Sequence, residues 1–272
     1  MTPSYREIAS EIRKVLLGGA KAPARSVLAI PGGHLLVMPA ADREYAVVKT
    51  VVVDDRGVSG EVWARRHATG EVWHLPAEEL TVRRTAALSL LAAKTLAPRK
   101  KGALLLVGAG RQARGHLEAF AEAGLIDRVL VKGRNPERAR ALAAYAEELG
   151  VNGGLFEGWY PEDLAFVVTA TTSPRPVVGA DLPEGVFIAA VGSFTKNARE
   201  LPPELLERAS LVVADTEDAL FEAGELVELP PKRVLTLREV LENPPATSGT
   251  VVFKSTGHAL FDLAAVRAYL KA

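Results

Sequence analysis

The chain has 272 residues, with 33 basic and 33 acidic side chains and no cysteine. Its length allows two domains or one large α/β unit, its balanced charge argues against nucleic-acid binding, and the lack of cysteine excludes disulfides and thiolate chemistry. The N-terminal sequence lacks the apolar stretch of a signal peptide, and no window approaches the roughly 20 apolar residues of a membrane span. We therefore expect a soluble, cytoplasmic protein with no membrane partner.

The first part of the chain is expected to form one helix and an antiparallel sheet. Residues 4–17 place Ile8, Ile12 and Val15 on one side of a short amphipathic helix. Five apolar runs follow, separated by turn signals such as Asp55-Arg56-Gly57. The predicted strands are residues 26–30, 34–39, 45–54, 58–65 and 71–75.

The third of these strands, "YAVVKTVVVD", contains an ammonium group in the middle of an apolar run. Lys49 shares one face with Tyr45 and Val47, and the other face is apolar as well, so the strand should be largely buried. One interpretation is a gatekeeper lysine on an edge strand. The other is a cation that binds an anion in a cleft, and the strand alone leaves both open.

A helix is predicted from "TVRRTAALSLLAAKTLA", with Thr81 as its N-cap. Arg83 and Arg84 would then lie in the first turn, where cations oppose the helix dipole. Because a helix N-terminus with a guanidinium group can bind an anion, this position suggests an anion site. Pro98 ends the helix, and the segment "PRKKG" is the expected domain boundary.

Beyond residue 100, apolar strands alternate with helices, which predicts an α/β fold with a doubly wound parallel sheet. Helices are expected from about Gln112 to Ala123, and from Pro136, capped by Asn135, to Gly150. The tail "TVVFKSTGHALFDLAAVRAYL" predicts one more strand and an amphipathic helix. The other strands are expected at residues 103–107, 128–132, 165–170, 186–191 and 211–215.

The strongest motif is a G-x-G-x-x-A pattern that follows a buried strand and opens a helix, as a dinucleotide site requires. Gly108 permits the tight turn, Gly110 lets backbone amides approach a pyrophosphate, and Ala113 allows close packing of helix on strand. The alternative is an ordinary turn with small packing residues, and we favour the dinucleotide site. The expected cofactor contacts here are Gly108, Ala109, Gly110, Arg111, Gln112 and Ala113, with Thr169, Ala170, Thr171 and Thr172 after a later strand.

The end of the second strand of this sheet indicates which dinucleotide binds. An NAD site usually carries an acidic residue there, which bonds the ribose 2′-hydroxyl. This chain instead has Gly133-Arg134-Asn135, and Arg134 could pair with a 2′-phosphate. NADP(H) is therefore the favoured cofactor, with NAD(H) possible. The alternative is a solvated arginine beside a permissive NAD site.

The residues resemble the ornithine cyclodeaminase/mu-crystallin family, through segments that cover most of the chain in family order. The resemblance implies a homodimer in which a Rossmann domain, residues 99–249, is inserted in a smaller α+β domain. That smaller domain, residues 1–98 and 250–272, would bind substrate and form the dimer. The matching segments are "LLVMPA", "RRTAALSLLAAKTLA", "VGAGRQARGHLEAF", "VTATTS", "AAVGSFTKNAREL" and "FKSTGHALFDLAAV".

The resemblance also implies roles for separate residues. Arg25, Lys49 and Arg84 would grip a substrate carboxylate, so the cation interpretation of Lys49 becomes the favoured one. Val191 and Ser255, in the matching segments, would join the cofactor site. His258 is a weaker candidate for a proton donor, and the five histidines show no metal-binding spacing, so no metal is expected. Glu200 is expected either to orient a loop or to form a solvated salt bridge.

One departure from the family pattern distinguishes between activities. In the family's cyclodeaminases and alanine dehydrogenases, an aspartate stands at the position of Phe194, and cyclisation of ornithine needs a group that shuttles protons. Phenylalanine cannot do this. The expected function is therefore an NADPH-dependent reductase of small cyclic 2-imino acids, of the Δ1-pyrroline- or Δ1-piperideine-2-carboxylate type. The alternatives are an ornithine cyclodeaminase or alanine dehydrogenase, and a non-catalytic NADP(H)-dependent binding protein of mu-crystallin type.

Overall fold

The computed structural model describes residues 2–272, which form two compact units. The first unit contains residues 2–88 and His258–Ala272, and the second is Ser89–Gly257. The expected boundaries, after residues 98 and 249, therefore shift. They shift because the second half of one long helix and the strand after residue 250 both pack within the larger unit.

The first unit is an antiparallel sheet with helices, as the sequence predicts. A capping box fixes its first helix, since Ser4 accepts a hydrogen bond from the Glu7 amide and Glu7 accepts from the Ser4 amide. The five strands pair in chain order. The elements are α1 (Tyr5–Leu17), β1 (Ser26–Ile30), β2 (Gly33–Ala41), β3 (Tyr45–Asp54), β4 (Gly57–Arg66), β5 (Val72–Pro76), the start of α2 (Ala77–Leu96), and α8 (Ala259–Tyr269).

Strand β3 is the central strand of this sheet. The edge-strand interpretation of Lys49 is therefore wrong, because β2 and β4 pair with β3 on both sides. Tyr45, Val47 and Lys49 form the buried face of the first half of the strand. A lysine that is only 3% exposed at the centre of a sheet needs a partner for its charge.

Helix α2 begins at Ala77, so the prediction of Thr81 as its N-cap is wrong. Two acidic residues, Glu78 and Glu79, occupy the first turn, where negative charge is favoured. Arg84 consequently lies well inside the helix, and the expected anion site at the helix N-terminus is wrong too. Arg83 stacks over the Tyr5 ring at 4.2 Å, away from Arg84's partners.

Helix α8 is confirmed as a helix, but the expected amphipathic pattern is wrong. It contacts α1 as well as β2 and β3 of the sheet, so residues on nearly every side are covered. Phe261, Leu263 and Val266 are fully buried, and so is the carboxylate of Asp262. An acidic residue at such a position requires a cationic or hydrogen-bonding partner.

The second unit confirms the prediction of an α/β fold with a doubly wound parallel sheet. Its eight strands are all paired in parallel, in the order β12-β11-β13-β10-β9-β6-β7-β8. Strand order reverses between β6 and β9, and such a switch point is where α/β sheets bind ligands. The strands are β6 (Ala103–Val107), β7 (Arg128–Lys132), β8 (Asn152–Leu155), β9 (Leu164–Thr169), β10 (Phe187–Ala190), β11 (Leu211–Ala214), β12 (Val234–Thr236) and β13 (Val251–Lys254).

The helices of the second unit begin close to the predicted positions. Asn135 accepts a hydrogen bond from the Arg138 amide and so caps α4, with Pro136 at the first helical position. No helix within residues 2–272 is long and apolar enough to cross a membrane. The helices are α3 (Arg111–Glu122), α4 (Pro136–Glu148), α5 (Pro203–Arg208), α6 (Ala219–Glu222) and α7 (Leu237–Glu242), with a 3₁₀ turn at Pro231–Arg233.

A buried histidine links two helices of this unit. His116 on α3 is fully buried, and its ring contacts the Gln112 carbonyl at 2.7 Å and the Ser89 hydroxyl at 2.9 Å. Because a carbonyl only accepts, Nδ1 carries the proton and Nε2 accepts from Ser89. Burial lowers the pKa of His116 to about 4, against the opposing effect of the Gln112 hydrogen bond. The fold therefore requires a neutral imidazole.

This requirement predicts a pH-dependent loss of stability. The unfolded chain binds a proton at His116 near pH 6.5, and the fold resists protonation until about pH 4. Stability is thus full above pH 6.5 and falls as the pH drops towards 4, by about 3 kcal/mol in total. Urea unfolding across this range should show a shallower slope for His116→Gln than for the wild type. The exposed His34, changed to Gln, is the matched control, and equal slopes for all three proteins would contradict the prediction.

Candidate active site

Two buried cations of the first unit share one carboxylate oxygen. Lys49 Nζ lies 3.1 Å from Asp262 Oδ1, and Arg84 Nε lies 3.2 Å from the same atom. Lys49 also donates to the Thr81 hydroxyl at 2.6 Å, and that hydroxyl donates to the Ala77 carbonyl. The side chains come from β3, α2 and α8, so the cluster exists only when these three elements pack together.

The charges of this cluster do not cancel. Burial lowers the pKa of Lys49 to about 8, attraction to Asp262 opposes that effect, and repulsion from Arg84 and Arg25 adds to it. Arg25, directly before β1, is therefore within electrostatic reach of Lys49. The two buried cations Lys49 and Arg84 share the single carboxylate of Asp262, and this net positive charge suits a small anionic ligand.

Sequence reasoning missed Asp262 and Thr81. The signal for Asp262 was an acidic residue in a helix that is otherwise apolar on nearly every side, the counterpart of Lys49 in its apolar strand. Nothing in the sequence links the two, because 213 positions separate them. Thr81 was singled out for the wrong role, since its hydroxyl serves Lys49 instead of the helix terminus.

In the second unit, the turn between β6 and α3 fits a dinucleotide pyrophosphate. Gly108 has φ +122°, and a Cβ there would lie 2.5 Å from the Ala170 carbonyl oxygen, so only glycine fits. A Cβ on Gly110 would meet nothing within 4 Å, which leaves space above the turn. The N-cap of α3 is Gly110, which has no side chain to cap the helix, and a helix N-terminus of this kind favours an anion. Gln112 Oε1 is buried here without a hydrogen-bond partner in residues 2–272.

A buried glutamate organises the loops that follow β9 and β10. Glu200 accepts hydrogen bonds from the Thr169 hydroxyl at 3.0 Å, and from the Thr171 hydroxyl, the Thr171 amide and the Gly192 amide at 2.7 Å each. Its side chain is fully buried, so it orients the loop and the solvated salt bridge is wrong. The Thr169 and Thr171 hydroxyls therefore face Glu200.

The loop after β13 depends on a second buried carboxylate. Asp215 Oδ2 accepts hydrogen bonds from the Ser255 hydroxyl at 2.7 Å, the Thr256 amide at 3.1 Å and the Gly257 amide at 2.8 Å. Ser255, predicted as a cofactor contact, thus has its hydroxyl engaged by the protein. Sequence reasoning missed Asp215, although an acid directly after an apolar strand was a visible signal.

The remaining predicted residues lie at the same end of the parallel sheet. The Val191 amide donates to the Thr169 carbonyl at 2.9 Å and joins the ends of β9 and β10. Gly133 packs against Ala109, and a Cβ on Gly133 would lie 3.3 Å from the Ala109 Cβ. Arg134 is exposed directly after β7, where a ribose 2′-substituent would be reached. The other predicted contacts there are Arg111, Ala113, Asn135 and Thr172.

Two further candidates have defined positions. Phe194 follows β10 and is 51% exposed, and its phenyl ring has no proton to transfer. His258 is the N-cap of α8, and its Nδ1 accepts from the Leu260 amide at 3.4 Å. This capping contact gives the histidine a structural task at the start of the helix that carries Asp262.

The match to known proteins extends over almost the entire chain. The model of the ornithine cyclodeaminase/mu-crystallin family matches residues 2–270. The chain belongs to this family. It is 35% identical, over 92% of its length and 84% of the relative's, to the Δ1-pyrroline-2-carboxylate/Δ1-piperideine-2-carboxylate reductase of Azospirillum brasilense.

Two further comparisons agree with this membership. The chain is 31% identical to the ketimine reductase mu-crystallin of Mus musculus, over 92% of this chain and 84% of that protein. It also superposes on the Δ1-pyrroline-2-carboxylate reductase of Thermococcus litoralis, solved with NADH and L-proline, with a TM-score of 0.89 at 26% identity. That superposition covers 100% of this chain and 94% of the other. The sequence-based family resemblance is thereby confirmed.

The lowered pKa of Lys49 predicts how anion binding varies with pH. Below about pH 8 Lys49 is an ammonium group and the site has its full charge, and above that pH it is neutral. The affinity for pyrrole-2-carboxylate, a planar acid without a basic ring nitrogen, should therefore fall up to about tenfold per pH unit above 8. Isothermal titration calorimetry checks this. Lys49→Arg, which stays charged, should lack the decline, and a pH-independent wild-type affinity would contradict the assignment.

Proposed function

We propose that this protein is an NADPH-dependent reductase of small cyclic 2-imino acids of the Δ1-pyrroline- or Δ1-piperideine-2-carboxylate type. The observation that carries the proposal is the pair of buried cations Lys49 and Arg84 on one carboxylate, whose net positive charge suits a substrate carboxylate, with Arg25 within electrostatic reach. A dinucleotide-type turn in the same chain supports it. The named activity of the Azospirillum relative and the L-proline in the Thermococcus structure support the substrate class.

The three cations would hold the substrate by its carboxylate and thereby fix the ring. Bound NADPH supplies the hydride, which adds to the imine carbon while the π electrons of the C=N bond move to nitrogen and yield the cyclic amine. Proximity and orientation of well-placed reactants contribute up to about 7–11 kcal/mol to such a step. The protein's main tasks are therefore to hold the carboxylate and to exclude other ring orientations.

The reductase reaction does not require a proton-donating side chain in this site. The imine nitrogen can acquire its proton from water before it binds, and the resulting iminium is the better hydride acceptor. Cyclodeamination of ornithine, by contrast, requires a group that moves protons while ammonia leaves. Phe194 cannot serve in that role, so this position favours the reductase over the cyclodeaminase and over alanine dehydrogenase.

We further propose that NADP(H) is preferred to NAD(H), that the protein is a homodimer and that it works in the cytoplasm. Arg134 supports the cofactor preference, because an exposed guanidinium after β7 can pair with a 2′-phosphate in a bidentate way. Val27 and Leu28 support the dimer, since they are 58% and 60% exposed on the edge strand β1. Consumption of NADPH suits the cytoplasm, where cells keep this cofactor reduced.

The proposal predicts steady oxidation of NADPH, followed by its absorbance, when Δ1-pyrroline-2-carboxylate is added. Lys49→Ala should lower kcat/KM by about 100-fold or more, because a charge partner of the carboxylate is lost. NADPH binding, measured by fluorescence titration, should be unchanged in this variant. NADPH binding without turnover in the wild type would favour the non-catalytic binding protein, and ammonia release from ornithine with catalytic NAD would contradict the assignment of Phe194.

The cofactor preference is tested separately through Arg134. Arg134→Ala should raise KM for NADPH by about tenfold and leave KM for NADH nearly unchanged, because only NADPH carries the 2′-phosphate. Arg140→Ala, which removes an exposed arginine one turn into α4, is the matched control and should affect neither KM. Equal effects of Arg134→Ala on both cofactors would contradict the 2′-phosphate contact.

A further inference from the structure

Lys49 and Arg84, with Arg25 nearby, form the proposed binding site for a carboxylate, which we call the anion site. Asp262 contacts both Lys49 and Arg84 and is itself inaccessible to solvent. Its side chain is fully buried, whereas Lys49 and Arg84 retain 3% and 7% side-chain exposure. One oxygen, Oδ1, receives both Lys49 and Arg84. The carboxylate is therefore closed to solvent, and of these three side chains only the two cations retain exposed surface.

Lys49 and Arg84 each keep hydrogen-bond donors that their contacts with Asp262 do not use. Lys49 has three N–H groups, and Asp262 and Thr81 take two of them. Arg84 uses Nε for Asp262, and this contact leaves its terminal nitrogens to other acceptors. Two cations that are fixed at their inner side in this way present their remaining donors in set directions, as bidentate capture of a carboxylate requires.

We propose that Asp262 is a positioning residue of the anion site, which fixes Lys49 and Arg84 and keeps Lys49 cationic without touching the ligand. This inference rests on the proposed function only in taking the ligand to be a small carboxylate. Asp262 Oδ2 supports it, because this buried atom has no hydrogen-bond partner in residues 2–272. Such an oxygen is unfavourable for folding, so holding the cations is the task that the structure shows for this carboxylate.

Among the contacts that the structure shows for Lys49 in residues 2–272, Asp262 is the only negative charge. Met38 of β2 and Val62 of β4 lie opposite Lys49 in the sheet register and are apolar. On α2, Lys49 lies near the cationic Arg84 and the neutral Thr81. Arg25, in the segment before β1, repels Lys49 electrostatically. Asp262 of α8 alone favours the protonated amine, so its neutralisation should let Lys49 lose its proton at lower pH.

The test is calorimetric binding of pyrrole-2-carboxylate to the full chain as a function of pH. Asp262→Asn keeps the size of the side chain and removes its charge. The pH above which the affinity declines should fall by about 1–3 units from the wild-type value near 8. Binding should be partly restored at low pH. Glu11→Gln is the matched control, because Glu11 pairs with Arg267 on the same helix α8 and away from Lys49.

The Glu11→Gln control should lower the melting temperature and leave unchanged the pH above which the affinity for pyrrole-2-carboxylate declines. A merely structural role of Asp262 would give the same pattern in Asp262→Asn, namely reduced stability with the decline still near pH 8, and would overturn the proposal. An unchanged affinity at every pH would overturn it as well. Because the probe is not turned over, these outcomes are independent of imine reduction, and failure of the proposed function would show instead as absent NADPH oxidation by the wild type.

A second variant decides the matter if Asp262→Asn is recovered only unfolded. Asp262→Glu retains the charge and moves the oxygen by one methylene. The decline should then stay near pH 8, whereas the affinity should drop about tenfold or more because Arg84 and Lys49 are displaced. Wild-type affinity in Asp262→Glu would show that the position of the carboxylate is unimportant and would overturn the proposal.

Discussion

The contact of one buried carboxylate with two buried cations is the constraint on which the anion site depends. An ammonium or guanidinium group in a protein interior is costly unless an opposite charge lies beside it. Asp262 provides that charge for Lys49 and Arg84 at 3.1 and 3.2 Å. Since Asp262 comes from α8, the last helix, these two cations have their counter-charge only when the end of the chain has returned to the first unit.

Buried carboxylates have different consequences in the two units. Glu200 receives neutral hydroxyl and amide donors, so it fixes the loops after β9 and β10. Asp262 receives cationic donors, so it fixes the direction of charges and compensates only part of them. The first arrangement suits loops that surround a dinucleotide, and the second suits capture of a small anion. Both are needed for the reductase that we propose.

Local signals were sufficient for much of the fold. Strands β3, β6 and β7 have the predicted bounds, and Asn135 caps α4 as its sequence indicated. Errors arose where tertiary contacts decide the outcome. The covered sides of α8 depend on α1 and the sheet, and the central place of β3 depends on strand order, which residues 45–54 cannot encode.

The candidate site likewise contains residues that local sequence signals indicated and residues that only tertiary contacts reveal. Lys49 was recognisable as a charge in an apolar strand, and the glycine turn was recognisable from its spacing. The partner of Lys49 was not, because Asp262 takes its role from a residue distant in the chain. The start of α2 was misjudged because Thr81 is a good N-cap by type, whereas the acidic first turn after Pro76 begins the helix earlier.

The most direct test of the anion site is an experimental structure of the protein with NADPH and pyrrole-2-carboxylate. The carboxylate oxygens of the ligand should lie within about 4 Å of Lys49 Nζ and the Arg84 guanidinium, with Asp262 still in contact with both cations. A carboxylate bound elsewhere, or one that displaces Asp262 from Lys49 and Arg84, would contradict this expectation.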